Sequence, residues 1–259
     1  MSDDLIAEAV SLTLGGRPVL NQVTARFRKG ELVAIVGPNG AGKSSLLSCL
    51  AGLRRPSTGR VTLNDAIVAD IPGRDRAKAM AFLAQSPEIA WDVDVRTFIG
   101  LGRTPHLGAF GPSAEDALAI EQAIATTGLG DFASRAITRL SGGERARALI
   151  ARALAGQTDW LLADEPLTGL DPRHALDTVG LFRRLTHDEG KGVIVTLHDL
   201  TLAARFADRV LLLDRGCLVA DGPPGQALTP QALAMAYGVR TRTHAGAAGP
   251  LIEILRRVD

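Results

Sequence analysis

Gly37-Pro38-Asn39-Gly40-Ala41-Gly42-Lys43-Ser44 follows an apolar run over residues 31–36 and leads into a helical pattern over residues 43–51 that stops before Gly52. The glycines let backbone N–H groups turn inward around an anion, and the helix start adds its partial positive charge. Gly-x4-Gly-Lys-Ser between a strand and a helix is therefore read as a phosphate cradle rather than a surface turn. In that reading Lys43 reaches the outer phosphates and the Ser44 hydroxyl binds Mg²⁺. A strand, a phosphate turn and a helix in this order predict an α/β sheet.

Outward from this turn, short β-branched runs alternate with helical patterns. Residues 59–63, 160–164, 193–196 and 209–213 predict strands, and 172–189 and 200–206 predict helices. Continuous apolar strands separated by helices predict a mostly parallel sheet covered on both faces. Residues 87–155 differ, offering helical stretches and no convincing strand. Within them Ser113-Ala114-Glu115-Asp116 has capping-box spacing ahead of a helix over 114–127. The segment predicts a helical insertion, with core residues 1–86 and 156–259 on either side and a loop over 102–112. The small, polar tail over 241–250 predicts loosely ordered chain before a last strand at 251–255.

The chain has 259 residues, 46% of them hydrophobic, enough for one large α/β domain or a domain with an inserted subdomain. A net charge of +1 gives no electrostatic reason to propose a nucleic-acid partner. Met1-Ser2-Asp3-Asp4 is acidic where a secretion signal is basic, and no run approaches the roughly 20 apolar residues of a membrane span. Cys49 and Cys217 are far apart, which predicts two reduced, buried thiols rather than a disulfide or a metal site. Together these features predict a soluble intracellular protein.

Further motifs extend the phosphate chemistry. Asp164 and Glu165 end an apolar strand, which predicts two carboxylates at the carboxyl edge of the sheet beside the phosphate loop. Asp164 would hold Mg²⁺, directly or through water, and Glu165 would orient and polarise the attacking water. Ser141-Gly142-Gly143-Glu144 has capping-box spacing at the start of a helix carrying Arg145 to Leu154. A capped start with two glycines also exposes N–H groups and a favourable dipole to a phosphate. A second phosphate device in a chain with one nucleotide loop makes sense if each device serves a different subunit. Asp171-Pro172 reads as an N-cap and first-turn proline, with a role for Asp171 across an interface not required. Gln85 closes a strand over 81–84 and His198 closes one over 193–197, which makes both candidate γ-phosphate sensors.

These residues resemble the ATP-binding cassette ATPases over essentially the whole chain. In that family's terms Gly37–Ser44 is the Walker A loop, Leu161–Asp164 the Walker B strand and Gln85 the Q-loop glutamine. Leu140–Glu144 is the signature, Glu165 the catalytic glutamate, Leu170-Asp171 part of the D-loop and His198 the switch histidine. The resemblance implies a P-loop NTPase (RecA-like) core with a mostly parallel sheet, an antiparallel β region at the N-terminus and an inserted helical subdomain. It implies ATP and Mg²⁺ as cofactors. Nucleotide contacts would come from Gly37, Pro38, Asn39, Gly40, Ala41, Gly42, Lys43, Ser44 and Ser45, and from Ser141, Gly142 and Gly143 of a second copy packed head to tail. Metal contacts would come from Ser44, Gln85 and Asp164, and catalysis from Glu165, His198, Lys43 and Gln85. The family stacks an aromatic ring on adenine, and near the expected place this chain has Leu14, which predicts weak base selectivity.

Three further runs resemble the ATPases of bacterial importers for iron complexes, haem and cobalamin. They are Leu197-His198-Asp199-Leu200 through Ala207-Asp208, Gly102-Arg103-Thr104-Pro105-His106, and Ala220-Asp221-Gly222-Pro223-Pro224. Such subunits lie at the cytoplasmic face of the membrane, held there by transmembrane permease subunits that a periplasmic or extracellular binding protein supplies. The helical insertion would dock the permease, with Arg103, Pro105 and His106 as candidates and a simple loop as an equal explanation. The competing readings are a soluble cassette ATPase of an assembly system, such as iron–sulfur cluster biogenesis, and an exporter motor.

Overall fold

Burial alternates along the first strand as a half-covered sheet requires: Leu5, Ala7, Val10 and Leu12 point inward and their neighbours do not. The computed structural model describes residues 4–85, 92–108, 111–247 and 249–258. They form two compact units, Met1–Ile71 with Phe182–Asp259, and Pro72–Leu181.

The first unit begins with β1 (Leu5–Leu14), β2 (Arg17–Phe27), β3 (Leu32–Val36), α1 (Lys43–Leu50), β4 (Thr58–Leu63) and β5 (Ala66–Ile67). An antiparallel sheet runs in the order β2-β1-β4-β5. A bulge between Ala7 and Val10 interrupts its register, with Ala9 at φ +46°.

The second unit holds α2 (Gly73–Ala79), β6 (Met80–Leu83), α3 (Val95–Gly100) and a 3₁₀ turn over Leu101–His106. It continues with α4 (Ala114–Thr126), α5 (Gly142–Ala155), β7 (Trp160–Ala163) and the start of α6 (Pro172–His187). β6 and β7 pair in parallel, with Leu83 opposite Ala163. Among the described residues between them only isolated bridges have β character. The helices enclose their own core of Phe98, Ile99, Ile124, Leu129, Ile137 and Ala148.

The chain then returns to the first unit as β8 (Gly192–Thr196), α7 (Leu200–Phe206), β9 (Arg209–Asp214) and β10 (Cys217–Gly222). α8 (Pro224–Ala227), α9 (Pro230–Tyr237), β11 (Val239–Gly246) and β12 (Gly249–Arg257) follow. β3 lies between β8 and β9, parallel to both, and all five of its residues are buried. β10 adds antiparallel to β9. The mostly parallel, apolar-stranded sheet and the antiparallel N-terminal sheet match the expected fold class.

Two expectations change. The tail does not run loose: β11 and β12 form an antiparallel ribbon from Val239 opposite Arg257 to Gly246 opposite Gly249. The expected last strand at 251–255 lies within β12, whereas β11 is largely exposed and polar, so the apolar alternation that announces a strand was missing there. Cys49 is buried as expected, and desolvation pushes its thiol up to about 11, but Cys217 is exposed where the chain turns into β10. Residues 1–3, 86–91 and 109–110 lie outside the described residues, and with them the acidic Met1-Ser2-Asp3, the expected insertion boundary at Pro87 and part of the expected loop over 102–112. No helix among the described residues is long and apolar enough to cross a membrane.

Candidate functional site

In the first unit the phosphate loop is folded tightly against its own sheet. A Cβ on Gly37 would stand 2.2 Å from the Leu213 carbonyl oxygen of β9, so only glycine lets the loop leave β3 at this point. Gly42 (φ +99°) is the N-cap of α1, and a Cβ there would stand 2.9 Å from the Val19 carbonyl oxygen. The Ala41 amide donates to Pro38 O at 3.1 Å, and Ala41 O accepts from the Gly216 amide at 3.0 Å, which ties the loop to the β9–β10 turn. Lys43 is buried at 5% exposure and donates from Nζ to Gly37 O at 2.8 Å and Pro38 O at 3.2 Å. A lysine this deep must be paired, and the loop's own carbonyls do it. Ser44 and Ser45 follow in the first turn of α1. His198 leaves the adjacent parallel strand β8 at the same edge, since the Leu197 amide donates to Ile35 O of β3 at 3.1 Å.

In the second unit Asp164 and Glu165 follow β7. Asp164 is buried at 7% exposure, and its amide donates to Leu83 O at 2.8 Å. Glu165 adopts φ +48°, a left-handed conformation that costs a non-glycine residue about 1 kcal/mol or more. Its Oε2 accepts from Gln85 Nε2 at 2.5 Å and from Thr168 Oγ1 at 3.3 Å. Gln85 and Glu165, far apart in sequence, thus share one hydrogen bond. Both line a cavity of about 250 Å³, together with Gly142, Arg145, Leu149 and Thr168. The cavity brings the Glu165 carboxylate, the Gln85 amide and the start of α5 to one opening.

Both capping boxes form. Ser141 Oγ accepts from the Glu144 amide at 3.3 Å, and Glu144 Oε2 accepts from the Ser141 amide at 2.8 Å. The Ser141 amide beside it holds the Glu144 carboxyl below the usual range. Asp171 caps α6: it accepts from the His174 amide at 3.0 Å and pairs with His174 Nδ1 at 2.7 Å, and these bonds lower its pKa. The same imidazole packs under the signature helix, with Nδ1 3.2 Å from where a Gly143 Cβ would sit.

Arg103 is not available to a docking partner. It is 3% exposed, donates Nε to Asp116 Oδ1 at 2.7 Å, and donates Nη1 to Ala155 O at 3.1 Å and Gln157 Oε1 at 2.9 Å. His106 Nε2 lies 3.0 Å from Gly156 O. The run Gly102–His106 fastens the end of α5 from within the helical unit.

Sequence reasoning missed His174 and Gly216. For His174 the available signal was its i+3 spacing from an N-cap aspartate. Nothing around Gly216 in the sequence marks it, and only the long-range bond to Ala41 gives it a role.

The chain is similar to known proteins along nearly its whole length. The family described as "ABC transporter" matches residues 20–168. The chain is 38% identical to the hemin import ATP-binding protein HmuV of Bordetella avium, over 97% of this chain and 99% of that protein. A solved metal-chelate type ABC transporter in an inward-facing conformation superposes with TM-score 0.84 at 25% identity, covering 97% of this chain and 96% of that one. A dimeric ATP-binding cassette in a post-hydrolysis state bound to ADP and Pi superposes with TM-score 0.76 at 27% identity, covering 85% and 98%. Matched by the family model over more than half of its length and by a 38% identical relative over nearly all of it, the chain belongs to the ABC transporter family and is an ATP-hydrolysing subunit.

Proposed function

We propose that this chain drives a bacterial importer for an iron complex, with haem as the foremost cargo, from the cytoplasmic face of the membrane. The observation that carries the cargo class is its 38% identity to a hemin import ATP-binding protein along nearly the full length of both. Two copies would work head to tail, each phosphate loop meeting Ser141, Gly142 and Gly143 of the other copy. The helical subdomain over about 87–155 would meet the permease.

The residues fit the assigned roles. Gly37 to Ser45 would cradle the ATP phosphates, with Lys43 exchanging loop carbonyls for the outer phosphates. Ser44, Gln85 and Asp164 are hard oxygen donors of the kind Mg²⁺ takes. When bound, that ion supplies neutralising charge to the phosphates. Glu165, oriented by Gln85, would accept the hydrogen bond of the attacking water, and His198 would contact the γ-phosphate. Closure follows from phosphate contacts that exist only in the dimer, so ATP favours the closed state by differential affinity.

The test is a gentle detergent pull-down of the tagged chain from its host with mass spectrometry of its companions, followed by haem uptake in a strain lacking the chain. A multi-span permease and loss of haem uptake are expected. A permease with intact haem uptake and lost cobalamin uptake would move the cargo. A soluble scaffold with no membrane protein would overturn the importer reading in favour of an assembly ATPase.

A further inference from the structure

The imidazole of His174 lies between the first turns of two helices. At α6 the His174 amide donates to Asp171 Oδ1 at 3.0 Å, and Nδ1 pairs with Asp171 Oδ2 at 2.7 Å. The exposed Asp171 carboxylate only accepts, so Nδ1 is the donor and the ring orientation is fixed. At α5 the same ring stands against Gly143. A Cβ there would lie 3.2 Å from His174 Nδ1 and 3.5 Å from both Cε1 and Cγ, which are its three nearest atoms. A Cβ on Gly142, one residue earlier, would meet nothing within 4 Å.

An imidazole–carboxylate pair with side chains 31% and 56% exposed is worth little to stability. Its consequence is geometric. Gly143 must be glycine for a reason inside its own chain, because the ring crowds the side-chain space. The ring also backs the Gly143 peptide, whose amide lies in the first turn of α5 and has no helical carbonyl to take it. A donor meant for a phosphate gains most when it is held in place before the phosphate arrives. We propose that His174 is a positioning residue for the start of α5: held by Asp171, its ring fixes the Gly143 peptide so that the Gly142 and Gly143 amides are preset for the nucleotide of a second copy. The proposal rests on the head-to-tail pairing of two copies.

The experiment uses the full chain carrying Glu165→Gln, in which Mg·ATP is expected to hold the dimer. Light scattering follows dimer formation, and titration of a dilute sample follows single-copy ATP binding. Adding His174→Ala is expected to raise the dimer dissociation constant about threefold to tenfold, the worth of one hydrogen bond, with single-copy affinity changed by no more than about twofold. His174→Asn, whose side-chain NH₂ takes the place of Nδ1–H, is expected to recover most of that loss. Gly143→Ala is expected to cost less beside His174→Ala than alone, a coupling that a double-mutant cycle measures. A His174→Ala chain that melts lower but keeps the parent dimer constant would make His174 a plain helix-capping partner and overturn the proposal. So would an asparagine variant no better than alanine, or strict additivity with Gly143→Ala. If the variants fold poorly, the Glu165→Gln chain with ring-labelled histidine decides: its His174 signal is expected to shift on dimer formation, and a signal that stays still would overturn the proposal. Failure of the Glu165→Gln chain itself to dimerise with Mg·ATP would overturn the head-to-tail reading, a result this parent separates from failure at His174.

Discussion

The helices α1 and α5 both start with glycines suited to phosphate, yet they are finished differently. α1 begins at Gly42 with no side-chain cap and no acidic residue in its first turn. α5 begins at Ser141 inside a closed capping box, with Glu144 already bonded to the Ser141 amide. An uncapped start offers its orphan amides and its dipole undiluted, so an anion is its natural cap. A start closed by its own carboxylate has spent part of that capacity and placed a negative charge in the first turn. What it keeps is the Gly142 and Gly143 amides, which no helical carbonyl can take. The first suits a resident nucleotide, the second a later, conditional contact from another copy.

The comparison can be broken at several points. The largest effect is expected from Glu165→Gln, which should cut ATP turnover by more than about 100-fold while leaving binding at the open start intact and accumulating dimer. ATPase assays with size-exclusion chromatography check this, and turnover at the wild-type rate would remove Glu165 from its role. Next, Gly42→Ala should weaken ATP binding by more than about tenfold, because the new methyl meets Leu20 Cδ2 at 2.8 Å and Val19 O at 2.9 Å in a left-handed backbone. Gly142→Ala is the matched probe. Its methyl meets nothing within 4 Å, so single-copy binding should hold and only dimer-dependent hydrolysis should fall. Equal losses of binding would erase the distinction between the two starts.

Ser141→Arg should block closure of the dimer with monomer affinity changed by no more than about twofold, read by titration and light scattering. Loss of monomer affinity would return Ser141 to a plain helix cap. The smallest functional effect is expected at α4, a capped start with no phosphate role. The Ser113 amide and Arg103 hold the Asp116 carboxyl down to about 2. A carboxyl depressed on folding adds stability above its ordinary range and loses it as pH falls toward the folded value. Asp116→Asn should therefore lower the melting temperature at neutral pH and flatten the acid limb of the melting curve, with KM for ATP unchanged. A KM that moves with it would tie this clamp to the nucleotide.

Much of this molecule was legible from short-range pattern. The strand β3 is an unbroken apolar run, β8 has one at its centre, and both capping boxes announce themselves by a three-residue spacing. Of the exposed ribbon, the strand at 251–255 was legible within β12, whereas β11 was not, because neither of its faces is buried enough to impose alternation. Arg103 misled for a related reason: a charged residue in a Gly- and Pro-containing run reads as surface, and only the acceptors Asp116, Ala155 and Gln157 turn it inward.

Local chemistry therefore determined which residues could bind phosphate, cap a helix or end a strand, because each of those properties belongs to a few neighbouring residues. Pairings between distant residues were left to the fold. The bond between Gln85 and Glu165, the His174 ring beneath Gly143, and the Gly216 amide at Ala41 O each join segments with no pattern in common. Such contacts depend on how sheets and helices pack, and packing is fixed by the buried core as a whole rather than by any stretch of it.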